Sequence, residues 1–395
     1  MKWLTSTCLF GFVPAIARAG LLIPEPSGPY KVALHTSELV DADRLDPWNS
    51  SHPRRIAVSR FDPVPQERCN QTCTTPYMSA FIANFEDAIY EEFLSGTSLI
   101  WPSGVLAQLE LQFCCEQQQP SQSCPDSTDE KYPIVLFSSG LNTTRLFYSA
   151  VAQHIASRGY TVITVDHPYE TDIVEFADGT VIYGGNVVGD LNNTGPLVHA
   201  LDVRTNDASF VLKTLGVPFV TETDNPETAR VGMVGHSFGG AAAAAAMVND
   251  TRIVGGVNLD GYMFGPVLIA GLGRPGIPQS FLLFGSAGHN SSADESWGQF
   301  LATMQKWHPE EWVKELNLDD SVHGTFGDLG VIADVAGWRD DQALVDALFG
   351  EIAGARAMEI QVAYLDSFLQ MALQGRDPGL LAGPSPLFPE VQFLS

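Results

Sequence analysis

The chain has few positive charges. Its 395 residues include 21 Lys and Arg against 46 Asp and Glu, which gives a formal net charge of −25. A surface this negative repels the phosphates of nucleic acids and of anionic lipids, so we expect no nucleic-acid partner. Neutral and zwitterionic ligands are compatible with this charge, and so is a simple role of the acidic residues in solubility outside the cell.

Long apolar runs are also scarce. After the amino terminus, no segment reaches the roughly eighteen uninterrupted apolar residues that a membrane helix needs, so we expect no transmembrane segment. The amino terminus differs, because Lys2 precedes an apolar stretch over residues 3–16 and the A-x-A pattern of residues 17–19. Residues 1–19 therefore predict a secretory signal, and we expect a secreted, extracellular protein.

Cysteine is also scarce, with six in the whole chain. Five follow the predicted signal: Cys69, Cys73, Cys114, Cys115 and Cys124. Secretion makes disulfides the default, so we expect two disulfides and one unpaired thiol. No histidines accompany these cysteines at metal spacing, which makes zinc a weak alternative to disulfides here. For the chain as a whole we expect neither a metal nor a cofactor. Six N-x-[ST] sequons fit a secreted glycoprotein: Asn49, Asn70, Asn142, Asn192, Asn249 and Asn290.

The remaining chain, residues 20–395, is interpreted as one domain without internal repeats. Apolar strands over 134–137 and 161–165 bracket a helix over 146–157, which is a βαβ unit. Residues 64–130, rich in Cys, Gln, Ser and Pro, predict an insertion packed outside the sheet. Further elements are predicted as an antiparallel strand pair over 30–39 and 55–61, a hairpin over 172–183, and helices over 197–215 and 358–373. The alternation indicates an α/β fold with helices on both faces of a mostly parallel sheet.

The most informative stretch is the G-x-S-x-G pattern centred on Ser237. A short apolar run before it predicts a buried strand, and residues 241–247 predict a helix. The sharp turn between them is typical of a nucleophile elbow, in which Gly235 and Gly239 let the strand and the helix approach closely. Ser237 is therefore a candidate nucleophile, against the alternative of a serine in a tight turn without chemistry.

A nucleophilic serine needs a base, and three histidines follow Ser237 in the chain: His289, His308 and His323. His308 precedes a proline at a predicted helix end. His289 follows its strand so closely that it occupies the loop where an acid is usually found. His323 lies in the loop after a predicted strand over 312–318, which is where the imidazole of a catalytic triad belongs. We therefore favour His323.

The residues alone do not decide which carboxylate is the acid of the triad. The loop after the penultimate strand offers Asp294 and Glu295, whereas Asp260 ends the apolar run over 253–259. A carboxylate at such a strand end can point into the site, and burial would require a partner such as His323. Asp260 could also be a simple turn or cap residue.

Four stretches together resemble the plasma-type platelet-activating-factor acetylhydrolases: residues 137–149, 235–241, 258–264 and 321–323. The resemblance covers approximately residues 130–330. It implies the α/β-hydrolase fold and an ester hydrolase without a metal. It also implies that the acid follows the strand after the nucleophile, as Asp260 does.

The resemblance thus implies Ser237, Asp260 and His323 as the triad, with the backbone N–H groups of Leu141 and Phe238 as the oxyanion hole. At two positions, Ser139 and Asn142, this chain departs from the histidine and glycine that are common in the family. The implied substrates are short or oxidised acyl esters of phospholipids, with transient contact to a lipid interface. Candidates for lining the pocket or contacting the interface are apolar residues, although most such residues simply belong to the core: Tyr262, Met263, Phe264, Leu380, Leu381 and Phe388.

Two alternatives remain at this level. One is a general carboxylesterase, polyesterase or dienelactone-hydrolase-like enzyme that uses the same triad. The other is a binding protein that has the hydrolase fold without catalysis, although a complete set of triad residues argues against it.

Overall fold

The structure is a computed structural model that describes residues 20–115, 132–219, 230–274 and 276–394. The predicted signal over residues 1–19 lies outside these ranges, as does Cys124. In the part of the chain that the structure describes, we find no helix that combines the length and the apolar character needed to cross a membrane.

Strands and helices are numbered along the chain. The strands are β1 (Leu21–Leu22), β2 (Tyr30–Leu45), β3 (Pro53–Pro65), β4 (Thr72–Pro76), β5 (Leu109–Cys114), β6 (Ile134–Ser138), β7 (Thr161–Asp166), β8 (Ile173–Glu175), β9 (Val181–Tyr183), β10 (Val231–His236), β11 (Ile253–Leu259), β12 (Ser280–Gly285), β13 (Trp312–Leu318) and β14 (Val391–Phe393). The helices are α1 (Ala80–Leu94), α2 (Ser149–Ala156), α3 (Gly195–Thr214), α4 (Phe238–Asn249), α5 (Val267–Ala270), α6 (Glu295–Trp307), α7 (Leu329–Ala336), α8 (Gln342–Leu344) and α9 (Gly354–Gln374).

Nine strands form the central sheet, in the order β14-β13-β12-β11-β10-β6-β7-β3-β2. The six strands from β13 to β7 run parallel. At the edges, β14 pairs antiparallel with β13, and β3 and β2 continue antiparallel from β7. Because parallel strands end at the same edge, the loops after β6, β10, β11, β12 and β13 converge there.

Helices cover both faces of this sheet, which explains why the central strands are apolar on both sides. On one face, α2, α7 and α9 contribute core residues such as Ala152 and Phe368. On the other face, α3, α4 and α6 contribute Leu212, Ala242 and Phe300. The predicted fold class is observed, including the hairpin β8–β9 and the helices α3 and α9.

The segment after β3 is more closely integrated than an insertion packed outside the sheet. Its strands form a small sheet in the order β1-β5-β4, and the ring of Phe113 lies 6.1 Å from that of Phe61 in β3. Two disulfides join the region of β4 to that of β5: Cys69–Cys114 and Cys73–Cys115. The segment therefore shares the main apolar core.

The apolar residues that could face the pocket or a lipid are mostly part of the core, which is the other alternative that the sequence left open. Leu381 and Phe388 are buried in the core, and the Phe388 ring lies 5.9 Å from that of Tyr364. Met263 is buried as well, whereas Tyr262 is half exposed. The apolar residues of the tail are thus used to cover α9 and to add β14.

Candidate active site

Ser237 occupies a sharp turn between β10 and α4. Its backbone has φ 55° and ψ −124°, which is an unusual conformation for a residue with a side chain. A Cβ atom added to Gly235 would lie 2.0 Å from the Gly239 carbonyl oxygen, and one added to Gly239 would lie 2.0 Å from that of Ser138. Only glycine fits at either position. The two glycines let the backbone turn sharply between β10 and α4, and this turn places Ser237 outside the sheet.

Asp260 lies directly beside this turn, at the end of β11. Ser237 donates its N–H to the Leu259 carbonyl at 2.8 Å, and a Cβ atom on Gly261 would lie 1.8 Å from the Ser237 oxygen. The buried amide of Asn258 donates to the Gly261 oxygen and accepts from its N–H, at 2.7 and 2.8 Å. These bonds hold Asp260 in a left-handed conformation, with φ 58°.

His323 contacts Asp260 directly. It begins the 3-10 turn His323–Phe326 after β13, and its Nδ1 lies 2.6 Å from Oδ2 of Asp260. Burial alone would raise the pKa of the Asp260 carboxyl, but hydrogen bonds from His289 and His323 outweigh it and hold the pKa well below its usual range. The pair is therefore an ionised carboxylate beside an imidazole that is half exposed to solvent.

The other candidates from the sequence occupy different places. Asp294 is the N-cap of α6, where its Oδ1 accepts from the Ser296 N–H at 2.7 Å, and its Oδ2 lies 2.9 Å from Nε2 of His289. Nδ1 of His289 lies 2.8 Å from Oδ1 of Asp260. Glu295 is exposed, and His308 ends α6 with Nε2 2.8 Å from the Ala270 carbonyl oxygen.

The loop after β6 passes beside Ser237 and is held by Arg204 of α3. This fully buried guanidinium pairs with Glu170 and donates to the carbonyl oxygens of Ser139 and Gly140, the latter at 3.0 Å. In a trans peptide the N–H points away from the C=O, so the N–H of Leu141 is directed away from Arg204. A Cβ atom on Gly140 would lie 3.6 Å from that of Ser237.

Phe238 provides a second backbone N–H at the turn. It is the first residue of α4, and the N–H groups of a first helical turn have no acceptor within the helix. These groups also lie at the positive end of the helix dipole. The turn therefore presents a donor next to Ser237.

A chain of hydrogen bonds connects the loop after β6 with the backbone of His323. Nε2 of His236 lies 3.0 Å from the His323 carbonyl oxygen, and its Nδ1 lies 2.8 Å from the Tyr148 hydroxyl. Burial lowers the pKa of His236 to about 3, so the ring is neutral. Nε2 must then donate, Nδ1 accepts from the Tyr148 hydroxyl, and that oxygen accepts the Gly140 N–H at 3.0 Å.

The residues around Ser237 offer no arrangement typical of a metal centre. Within the described ranges, no group of three or more His, Cys, Asp and Glu side chains is placed to hold a metal ion.

Comparison with known proteins identifies the family. The sequence matches the family described as platelet-activating factor acetylhydrolase, isoform II, over residues 96–177 and 203–377. The chain belongs to this family. A probable 1-alkyl-2-acetylglycerophosphocholine esterase from Arthroderma benhamiae is 42% identical over 378 residues, which cover 95% of this chain and 94% of that protein. A platelet-activating factor acetylhydrolase from Cavia porcellus is 28% identical, and the match covers 67% of each chain.

A solved structure supports the fold of this platelet-activating factor acetylhydrolase family member. A ferulic acid esterase from Streptomyces cinnamoneus superposes with a TM-score of 0.71 at 27% identity, covering 95% of this chain and 100% of that one. The solved structure supports an α/β-hydrolase fold. The family, its relatives and this structure agree on ester hydrolysis. The protein is therefore an esterase and not a binding protein that lacks catalysis.

Asn142 shows how this acetylhydrolase family member tolerates its departure from glycine. Its φ is 52°, in the left-handed region that glycine favours and that asparagine enters more readily than most residues. Its side-chain amide lies 3.5 Å from the Val187 carbonyl oxygen. The asparagine side chain is thus accommodated at the outer side of the loop.

The sequence reasoning did not assign His289, Tyr148, His236 or Arg204 to the site of this acetylhydrolase family member. A signal for Arg204 was present, because it lies three residues after Leu201 and four before Ala208, on the core face of α3. A buried arginine needs acceptors, and here they belong to the loop beside Ser237. His236 occupies the first of the two unspecified positions of the G-x-S-x-G pattern, so the pattern gives no signal for it.

Proposed function

We propose that this esterase hydrolyses short or oxidised acyl esters of phospholipids, of the 1-alkyl-2-acetylglycerophosphocholine type, through an acyl-enzyme on Ser237. The observation that carries the proposal is the 2.6 Å contact between Nδ1 of His323 and the buried carboxylate of Asp260, at the sheet edge where the elbow presents Ser237. The names of the relatives support the substrate class.

Each group has a role that follows from its contacts. A carboxylate only accepts hydrogen bonds, so Nδ1 of His323 carries the proton and Nε2 is the base that takes the Ser237 proton. Ser237 Oγ attacks the ester carbonyl, and the negative oxygen of the tetrahedral intermediate is held by the N–H groups of Leu141 and Phe238, at about 3 kcal/mol per donor. His323 then protonates the leaving alcohol. In the second half of the reaction, His323 takes a proton from water and the water oxygen attacks the acyl-enzyme. The carboxylic acid leaves as His323 returns the proton to Ser237.

A substrate panel tests the proposal. Phosphocholine esters with acyl chains of increasing length at the second position should show the highest kcat/KM for acetyl and a steep fall for long unoxidised chains. The specific alternative is a broader carboxylesterase, which the similarity to the ferulic acid esterase favours. Equal kcat/KM for phenolic, simple alkyl and phospholipid esters would support that alternative and contradict the phospholipid assignment.

We also propose that the protein contacts a lipid surface through α1. Phe81, Ile89 and Phe93 are exposed at four- and eight-residue spacing on one side of this helix, and Phe93 is 69% exposed. The ring of Phe85 lies 5.6 Å from that of Tyr183, in the segment after β7. Because this segment begins at the sheet edge that carries the elbow, we propose that the exposed side of α1 faces the approach to the site.

Phe93→Ser should lower hydrolysis of substrate in zwitterionic vesicles while leaving hydrolysis of the same substrate as dispersed monomers unchanged. Trp307→Ser is the matched control, because Trp307 is also exposed but ends α6, far along that helix from its N-cap Asp294. An equal loss on vesicles for both variants would reject a specific role for α1.

We also propose that the protein is secreted, on the strength of the signal-like residues 1–19. Intact-mass analysis of the secreted form should give a chain that begins at Gly20, carries N-linked glycans and has one free thiol. Peptide mapping should assign that thiol to Cys124, with the other four cysteines paired as in the structure. A retained amino terminus with five reduced thiols would contradict secretion.

A further inference from the structure

A second histidine contacts Asp260 from the side opposite His323. Nδ1 of His289 lies 2.8 Å from Oδ1 of Asp260, and its Nε2 lies 2.9 Å from Oδ2 of Asp294. Oδ2 of Asp260, the other oxygen, faces Nδ1 of His323 at 2.6 Å. The four side chains thus form one continuous row of alternating carboxylates and imidazoles.

The two carboxylates determine the charge of His289. A carboxylate only accepts hydrogen bonds, so both ring nitrogens of His289 must donate, and the ring must carry two protons and a positive charge. Asp260 and Asp294 are 4% exposed, and the His289 side chain is 18% exposed, so water competes little for these bonds. Burial alone would lower the pKa of His289, but the two carboxylates outweigh it and raise the pKa to about 9.

The groups packed around His289 come from several elements. Asp260 follows β11, Asp294 precedes α6, and the Tyr262 ring lies 5.8 Å from the imidazole. The ring of Trp297 of α6, which is fully buried, lies 4.5 Å from the imidazole at an angle of 30° and limits its movement. The Trp297 indole N–H is itself held by the Gly261 carbonyl at 2.6 Å, so the imidazole has little freedom to turn.

We propose that His289 is a positioning residue of the active site, a fixed cation that holds Asp260 so that its second oxygen orients His323. The role of His289 rests on the proposed function of Ser237, Asp260 and His323. Its Nδ1–H and the Ser286 N–H, which lies 2.6 Å from the same oxygen, keep Asp260 from rotating. Its positive charge also repels a positive charge on His323, so the neutral form of His323, which can act as a base, is favoured.

Two variants separate the hydrogen bond from the charge. Neither variant carries the positive charge. In His289→Asn, the amide N–H can take the place of Nδ1 and still donate to Asp260. In His289→Gln, the amide N–H takes the place of Nε2 and donates to Asp294, so the bond to Asp260 is lost. His289→Gln should lower kcat by about 10- to 100-fold with little change in KM, as is typical of residues that orient catalytic groups. His289→Asn should retain more of kcat.

The pH profile of kcat/KM is the readout that a merely structural role would not change. Loss of the cation beside Asp260 should move the acidic limb to higher pH in both variants, because a nearby positive charge disfavours protonation of the base in the wild type. Wild type should lose activity as pH rises through about 9, where His289 gives up a proton, and both variants should lack this alkaline limb.

Stability provides a second readout. The pKa of His289 in the folded protein exceeds its ordinary value of about 6.5, so the charged ring stabilises the fold fully below that pH. This stabilisation is lost as pH rises through about 9. The Tm of wild type should therefore fall across this interval more than the Tm of His289→Asn.

Asp294→Asn keeps the experiment decisive if the His289 variants fold poorly. Asparagine is as good an N-cap as aspartate, so the bond from Ser296 can persist while the charge is removed. With one carboxylate left, His289 should lose its proton at lower pH, so the alkaline limb should move down. His308→Gln, at the far end of α6, is the control and should leave the profile unchanged.

Labelling with a fluorophosphonate distinguishes the two possible failures. If Ser237 is labelled in wild type and in every variant, but kcat and both pH limbs are the same in all of them, the role of His289 is wrong. If wild type is active but Ser237 is not labelled, the proposed function has failed instead. Labelling of Ser237 together with the expected pH shifts supports both.

Discussion

Ser237→Ala should lower kcat by about 10⁶-fold, the loss that removal of a nucleophilic serine causes when the rest of a triad is retained. The variant loses only an oxygen atom, and the backbone of the turn is held by contacts of Gly235 and Gly239 that the substitution does not touch. The Tm should therefore stay close to that of wild type. Steady-state hydrolysis of an acetyl ester and fluorophosphonate labelling measure the two effects.

Ser37→Ala is the matched control, because Ser37 is an exposed serine of β2 on the far edge of the sheet. It should retain full activity and leave labelling at Ser237 intact. Activity of Ser237→Ala near the wild-type level, or labelling of that variant, would show that another residue is the nucleophile.

Asp260→Asn should lower kcat by about 10⁴-fold, as the corresponding change does in serine proteases. The amide has the shape of the carboxylate but not its charge, so it no longer stabilises the imidazolium that His323 becomes during catalysis. One of its two ends must also present N–H groups to a histidine, which favours the wrong tautomer of that ring. The measurement is kcat for the acetyl ester at saturating substrate.

Asp294→Asn is the comparison for this prediction. Asp294 reaches His323 only through His289 and Asp260, so its loss should cost about 10-fold or less, as expected of a group one step removed. A large loss of kcat in Asp294→Asn together with near-normal kcat in Asp260→Asn would show that Asp294 is the acid. The general carboxylesterase reading would then gain support.

The elements around Ser237 could be predicted because their signals are local. An apolar run, a glycine-rich turn and an alanine run are adjacent in the chain, and β10, the turn and α4 follow in that order. His323 was favoured for a related reason, since it lies within a few residues of a strand end. Asp260 also follows a strand, but only the family resemblance favoured it over Asp294 and Glu295. Parallel strands then bring those ends to one edge whatever the spacing between them.

The contacts that join the site could not be predicted in this way. His289 and Asp260 are 29 residues apart, and Tyr148 and His236 are 88 apart. The periodic patterns of helices and strands predict contacts over a few residues only, so they indicate neither pair. Which nitrogen faces which oxygen depends on side-chain rotamers that only the packed interior selects. His289 was considered for the base, and its place between two carboxylates became visible only in three dimensions.

The disulfides and the last strand illustrate the same limit. Four cysteines allow three pairings, and the observed one depends on β4 and β5 lying side by side. The Pro- and Gly-rich tail has no strand-like alternation, and β14 forms because the edge of β13 offers unpaired backbone groups.

The close backbone contacts of Gly235, Gly239 and Gly261 have a consequence for enzyme engineering. A library of variants that recruits new substrates will find no tolerated side chain at these three positions, because the nearest obstacles are main-chain atoms about 2 Å away that cannot be trimmed by a second mutation. Diversity is better directed to exposed neighbours of Val187 such as Val188, whose side chain is 70% exposed. Changes there leave untouched the main-chain contacts of the turn that presents Ser237.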